Sequence, residues 1–409
     1  MRPDTLFPLI ALASVAIATA GEPKPDDDEH VEYSATEITS PPDPACLAGF
    51  WHSTVARRLN DRGEVVGDTV CEIATGDAAS PVLPSFSHGF RWNRAAGATT
   101  LPSLATDLTD VFARDINESG TTIGWELAAD GSAAAPKWPR AGGVSPAFEP
   151  PGCGILGLFA LGEGINDRGA VLGRVGLPST TGGCRLVWML KLASGEEFVG
   201  PAGTPRQLNN QGVGVGASAN RAIRWSPAIG EVVLYEDPAA EKVALAWAIN
   251  DRNEAVGQIN QFDPQLGCLL RQTAAFWAAN TRQTTLGGLR GDTHAAAYGI
   301  NRRSEIVGQS YRPPSCPEYD PAQAHAVIWR GTRAVDLNSL VPKRFAREFH
   351  LEIGSAINDR GQIVVRGQRR GEPPAPCPAL EFDPVTGENV YNPSATCQNL
   401  YSFLLTPKH

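Results

Sequence analysis

The chain has 409 residues, 42% of them apolar, and a formal charge of −9, so it has material for a core but no basic excess to displace the counterions of a nucleic acid. Charged residues are only 19%, and 42 glycines with 33 prolines exclude a long-helix protein. Length alone fits two or three domains, although all-β domains commonly run past the average size.

Residues 1–20, MRPDTLFPLIALASVAIATA, place Arg2 before an apolar run that ends in Ala18-Thr19-Ala20, a small-x-small cleavage site. This reads as a signal peptide, too short and wrongly flanked for a membrane span. No other apolar run is long enough to span. The mature chain is therefore expected to be exported, to the periplasm, the cell surface or the medium, without a membrane span. GEPKPDDDEH, residues 21–30, reads as a flexible acidic leader, and residues 31–409 as one domain.

One nine-residue pattern then occurs seven times: LNDRGEVVG, INESGTTIG, INDRGAVLG, LNNQGVGVG, INDRNEAVG, INRRSEIVG and INDRGQIVV. Its asparagines are Asn60, Asn117, Asn166, Asn209, Asn250, Asn301 and Asn358, spaced by 57, 49, 43, 41, 51 and 57 residues. Asn suits the first position of a type I turn, and the glycine three residues on accepts a positive φ, so each copy predicts a tight β-hairpin. Those turn glycines are Gly63, Gly120, Gly169, Gly212 and Gly361; Asn253 and Ser304 stand in copies five and six. The residues just before and six after each Asn are Leu, Ile or Val and should face packed layers. The second glycine should allow a neighbouring strand to approach closely.

Downstream of each copy lies a third-strand segment, such as SHGFRW, CRLVW, NRAIRW, TAAFW and AHAVIW, with SPAFEP in copy two and YSFLL in copy seven. Several copies add a fourth: ATTLPSL, EVVLY, QTTLGGL and AVDLNSL. Four short antiparallel strands repeated seven times predict an all-β fold, a seven-bladed β-propeller of four-stranded antiparallel blades. The last copy has no fourth strand, and VEYSATEI (residues 31–38) is placed to supply it and close the ring.

The IN-x-x-G-x-x-x-G segments followed by HGF at His88 and HAV at His325 resemble those of the HAF-type family of extracellular repeat proteins, named for a His-Ala-Phe tripeptide. The resemblance covers about residues 31–405; Val365 departs from it in copy seven, and copy two lacks the Trp. It implies repeats and export, and carries over no catalytic residue.

In such a meander the Asn turns share one face with the third-to-fourth turns. The second-to-third loops lie on the other face, and Cys46, Cys71, Cys153, Cys184, Cys268, Cys316, Cys377 and Cys397 all fall in or beside them or the connections between blades. Eight cysteines in an exported chain predict disulfides. Proximity suggests Cys46–Cys71, Cys377–Cys397, Cys153–Cys184 and Cys268–Cys316. Any binding is expected on this loop face.

The chemistry motifs are few. No HExxH, GxSxG, Walker A or dinucleotide fingerprint occurs, so no cofactor, metal or catalytic residue is assigned. His88 and His325 occupy equivalent repeat positions, which favours a structural hydrogen bond. His52 and His294 lead into first strands and are candidate ligand contacts in the central channel. The expected role is a non-catalytic binding or surface module for an extracellular or envelope polymer or protein, as a monomer. The alternatives are a secreted polysaccharide hydrolase or lyase, and a purely structural envelope protein.

Overall fold

The structure, a computed structural model, describes residues 32–41, 52–72, 85–104, 110–128, 131–149, 159–180, 182–263, 269–313, 324–376, 379–382, 389–392 and 396–408. Residues 1–31, where a signal peptide and an acidic leader are expected, lie outside the described residues.

Each nine-residue copy is a hairpin held by its asparagine. In copy three the Asn166 side-chain oxygen accepts from the amides of Arg168 (3.1 Å) and Ala170 (3.0 Å), while the Gly169 amide closes the turn on the Asn166 carbonyl (3.0 Å). Gly169 has φ +78°, and Asn253 and Ser304, at the same place in copies five and six, hold φ +60° and +61°. The seven residues six positions after each Asn, from Val66 to Val364, are all fully buried.

The amide nitrogen of each asparagine reaches into the next copy. Asn60 Nδ2 donates to the carbonyl of Asn117, Asn117 to Asn166, Asn166 to Asn209, Asn209 to Asn250, Asn250 to Asn301, Asn301 to Asn358, and Asn358 back to Asn60, at 2.9–3.1 Å. Seven hydrogen bonds thus form a closed cycle. One asparagine type does two jobs: its oxygen builds the local turn and its nitrogen ties that turn to its neighbour.

A second regularity lies on the other side of the hairpin. In every copy the ladder between first and second strands skips one residue, three before the Asn: Arg57, Arg114, Glu163, Arg206, Trp247, Tyr298 and Ser355. These are β-bulges, which re-aim a side chain and bend the strand. The second glycine of the pattern sits opposite the bend. A Cβ on Gly216 would lie 2.2 Å from the Thr204 carbonyl oxygen, and one on Gly308 1.9 Å from that of Ala296. In copy seven the glycine has changed strands, because Val365 pairs with Gly354.

The sheets follow the repeats, with two exceptions. Four-stranded antiparallel sheets hold His52–Leu59 to Gly97–Thr100, Ala160–Ile165 to Glu197–Ala202, and Thr204–Leu208 to Gly230–Tyr235. A fourth joins Phe349–Ile357, Ile363–Arg369, Tyr401–Pro407 and Tyr33–Ile38, the last pair antiparallel from Tyr33↔Pro407 to Ile38↔Ser402. Repeat two forms a five-stranded sheet, since its third strand is broken into Ala133–Ala134 and Pro136–Trp138. Repeats five and six share one eight-stranded sheet, fused by a single parallel bridge, Gln272↔His294. The expectation of a seven-bladed β-propeller with separate four-stranded blades is therefore corrected: the fold is all-β, with several four-stranded antiparallel sheets, and among the described residues no sheet closes into a barrel.

Repeat two also corrects a strand assignment. SPAFEP holds the fourth strand, Ser145–Pro146, and the third is Pro136–Trp138. Trp138 is 1% exposed, so the copy that lacked a Trp in that segment has one in its third strand. Trp138 Nε1 donates to the Pro102 carbonyl and Trp329 Nε1 to that of Gly287, both at 2.7 Å. Each ring thereby pins a segment of the preceding repeat. Trp92, Trp188, Trp225 and Trp277 are also buried, Trp188 and Trp277 with no hydrogen-bond partner for Nε1, and hydrophobic clusters lie between successive repeats.

Candidate active site

A concentration of titratable side chains that includes two histidines lies where repeats five, six and seven meet, at the ends of strands opposite the Asn turns. His325 opens the third strand of repeat six, and Asp336 ends its fourth, Arg333–Asp336. The hairpin between them brings the two side chains together, with His325 Nδ1 3.0 Å from Asp336 Oδ2. Asp336 also caps the 3-10 turn Leu337–Ser339. Its Oδ1 accepts from the Asn338 amide at 2.8 Å and from Asn338 Nδ2 at 2.9 Å. The carboxylate is thus fixed before it meets the imidazole.

His350, the second residue of Phe349–Ile357, stands perpendicular to His325 with ring centroids 4.9 Å apart. Its Nε2–H donates to the Ala324 carbonyl at 2.8 Å and its Nδ1 accepts from Arg370 Nη2 at 3.1 Å, an arrangement that requires a neutral ring. The two imidazoles are driven apart in basicity. The hydrogen bond to Asp336 raises the pKa of His325 above the usual 6.5, against the effect of its burial. Burial, followed by the charge of His325, lowers that of His350. For Asp336, burial acts upward, but the bonds from His325 and Asn338 hold its carboxyl below the ordinary range.

A cavity of about 740 Å³ opens over this pair, lined also by Arg290, Arg312, Arg369 and Arg370. Two acids line it, and both are engaged: Asp292 accepts from Ser310 Oγ at 2.6 Å, and Glu372 accepts from the Tyr401 hydroxyl and from Asn399 at 3.0 Å. Burial and the Glu372 carboxylate push the Tyr401 phenol up to about 12. The cavity offers guanidiniums for an anion beside an imidazole whose Nε2 is turned away from its carboxylate partner. Paired groups with opposed pKa shifts are the mark of acid–base assignments.

The candidates from sequence lie elsewhere or are differently used. The Asn and Gly turn residues occupy the opposite face. His294 does not face a channel: it is 3% exposed, with Nδ1 2.9 Å from Thr293 Oγ1, and burial lowers its pKa. Its ring packs at 5.0 Å against Tyr311, beside the bridge that fuses repeats five and six. The side chain of His52 lies outside the described residues, as do those of every cysteine except Cys184. Cys184 is disulfide-bonded, and no bridge joins two described cysteines, so none of the four suggested pairings is resolved. Among the described residues no group of three or more His, Cys, Asp or Glu is placed to hold a metal, and no helix is long and apolar enough to cross a membrane.

The sequence reading gave His325 only a structural hydrogen bond and assigned no role to Asp336, His350 or Arg370. One signal was present: Asp336 belongs to AVDLNSL, already recognised as the strand that returns beside His325.

No family model matches the chain, and no curated protein matches it. Solved structures do. A virginiamycin B lyase from Staphylococcus aureus matches with 10% identity over 92% of this chain and 99% of its own, at TM-score 0.45. The polysaccharide lyase Uly1 matches with 9% identity over 91% and 92%, at TM-score 0.43. An ulvan lyase of another polysaccharide lyase family matches with 11% identity over 72% and 83%, at TM-score 0.36. At these identities and TM-scores the matches assign no activity, and the expectation of a non-catalytic binding module is set aside on the cavity's own chemistry. What replaces it is argued from the chain's own side chains.

Proposed function

We propose that this protein is an enzyme that cleaves an anionic saccharide, one bearing a carboxylate, by β-elimination in the His325–His350 cavity. The observation that carries this reading is that His325, held by Asp336 through Nδ1, lines one cavity with four arginines. Arg290, Arg312 and Arg370 would hold the carboxylate and stabilise the negative charge that develops when the adjacent carbon loses its proton, Arg369 being paired with Glu348. His325 Nε2 takes that proton. The C–H electron pair becomes the new C=C bond, the β C–O bond breaks, and the departing oxygen keeps that pair and receives the proton back from the His325 imidazolium. Asp336 fixes the tautomer and stabilises the imidazolium, and His350, neutral, positions Arg370.

Hydrolysis is supported less well. It calls for two carboxyl groups flanking the bond, and the two acids in this cavity are tied to Ser310 and to Tyr401 with Asn399. We further infer that the mature chain is exported after loss of residues 1–20, which would place it beside polymeric substrates, and that it is a HAF-type repeat protein.

The test is incubation with a panel of uronate-containing polysaccharides and matched neutral ones, following the ultraviolet absorbance of the new unsaturated carboxylate. Absorbance should rise on at least one acidic polymer and on no neutral one. It should be lost in His325→Ala, whose circular dichroism should match the parent. A variant with unchanged rate would remove His325 from the chemistry.

A further inference from the structure

The seven bulged residues define a second site, independent of the lyase cavity. Arg57, Arg114, Glu163, Arg206, Trp247, Tyr298 and Ser355 come from all seven repeats and line one axial cavity of about 280 Å³, together with Arg58, Ile353 and Arg366. Five guanidiniums therefore face one lining carboxylate, in a chain whose overall charge is −9. Repetition explains the bulge. It does not explain why so many of the residues it presents are arginine.

Two of the five are matched. Arg57 holds Asp68 through two hydrogen bonds, Nη2 to Oδ2 at 2.9 Å, and Arg114 lies 3.4 Å from Glu163. The other three contact no carboxylate. Arg58 spends its donors on backbone carbonyls, at 3.1 Å on Ser355 and 3.4 Å on Arg57. Arg206 rests over the Trp247 ring, 4.5 Å from its centroid, and its Nε has no hydrogen-bond partner. The Arg366 side chain makes no hydrogen bond among the described residues, its Nε being buried without a partner, as is the Ser355 hydroxyl. Burial lowers the pKa of all three, Arg366 also feeling Arg57. Through space, Asp115 and Glu163 temper Arg58, Glu163 tempers Arg206, and Asp68 and Glu352 temper Arg366. Buried guanidiniums with donors that no carboxylate accepts are costly unless an anion joins them.

We propose that this cavity is a binding site for a compact polyvalent oxyanion, of the phosphate or sulfate class, held by Arg206 and Arg366 with the Ser355 hydroxyl. The forked guanidinium matches tetrahedral oxyanions, and convergence from two repeats fixes the geometry before the ligand arrives. Bound, the anion would tie repeats four and seven at a single point and would therefore add to the stability of the fold.

The experiment is thermal unfolding and titration calorimetry of the full mature chain with inorganic phosphate and, separately, inorganic sulfate. Chloride at equal ionic strength is the control. The expected result is saturable binding of one anion per chain and a rise in Tm that chloride does not reproduce. Arg366→Met and Arg206→Met should weaken binding at least tenfold. Without added oxyanion, the same substitutions should leave Tm unchanged or raise it, since each removes a buried unmatched charge. If the substituted chains fail to fold, line broadening of the phosphate ³¹P resonance by the unmodified chain, reversed by sulfate, carries the test instead. A chain that shows neither saturable binding nor an oxyanion-specific rise in Tm overturns the proposal. So do folded variants with unchanged affinity. Neither outcome bears on His325.

Discussion

Replacing Asn166 by aspartate separates the two jobs of the ring asparagines. The side-chain oxygen that accepts from the amides of Arg168 and Ala170 is kept, so the turn survives. The Nδ2 donor to the Asn209 carbonyl, at 3.1 Å, becomes a second oxygen facing an acceptor. The lost bond is worth about 1 kcal/mol net; the Asn209 carbonyl keeps its bond from the Gly212 amide (3.0 Å), but the new carboxylate oxygen facing it is left unpaired in a buried setting, which adds about 1–3 kcal/mol. The expected loss at neutral pH is about 3 kcal/mol. At 1.36 kcal/mol per unit this corresponds to a folded-state pKa for the new carboxyl about 2 units above its ordinary 3.9. A protonated carboxyl can donate to the Asn209 carbonyl. The deficit should therefore vanish below about pH 4 and grow as pH rises to about 6, the unfolded chain binding fewer protons than the folded one in that window. Asn166→Ala loses all three bonds and should be destabilised at every pH. Urea unfolding of the three proteins across this range is the assay. An aspartate variant as stable as the parent at pH 7, or one whose deficit ignores pH, refutes the closed cycle as a stabilising element.

Gly216→Ala should cost about 3 kcal/mol by urea unfolding, because its Cβ would meet the Thr204 carbonyl at 2.2 Å and the Trp188 ring at 2.7 Å. Asp115, 6% exposed, has its pKa raised to about 6, chiefly by burial and against the pull of Arg58. Its folded-state pKa lies above the unfolded value, so stability should fall by about 3 kcal/mol as pH rises from about 4 to about 6, and Asp115→Asn should flatten that slope in urea midpoints. Asp336→Asn removes the partner that raises His325. In steady-state assays the acidic limb of the pH–rate profile should move to lower pH and kcat should drop on the order of 10²-fold.

The pattern around each asparagine was legible because it is local. Turn oxygen, positive-φ residue and buried aliphatic lie within nine residues, and Asn253 and Ser304 fit the turn that their copies require. The departure at Val365 was visible, but its compensation was not, since Gly354 becomes relevant only once the two strands are paired. The bulged residues were missed for the opposite reason. Arg, Arg, Glu, Arg, Trp, Tyr and Ser share no chemistry that a repeat search would align, although they share a place. The fusion of repeats five and six depends on one bridge at His294, a residue that its place at the head of a first strand directed toward a channel. His325 and His350 stand in different repeats and meet only through the packing of two sheets. Spacing along the chain could not bring them together.

The most direct test of the central claim is mass analysis of the fragments released from an acidic polysaccharide by the mature chain. Elimination predicts new ends that carry an unsaturated carboxylate sugar and no added water, together with their loss in His325→Ala. Fragments that have each gained a water would contradict β-elimination and return the cavity to hydrolytic chemistry. If no acidic polymer is cleaved at all, the catalytic reading of His325 fails.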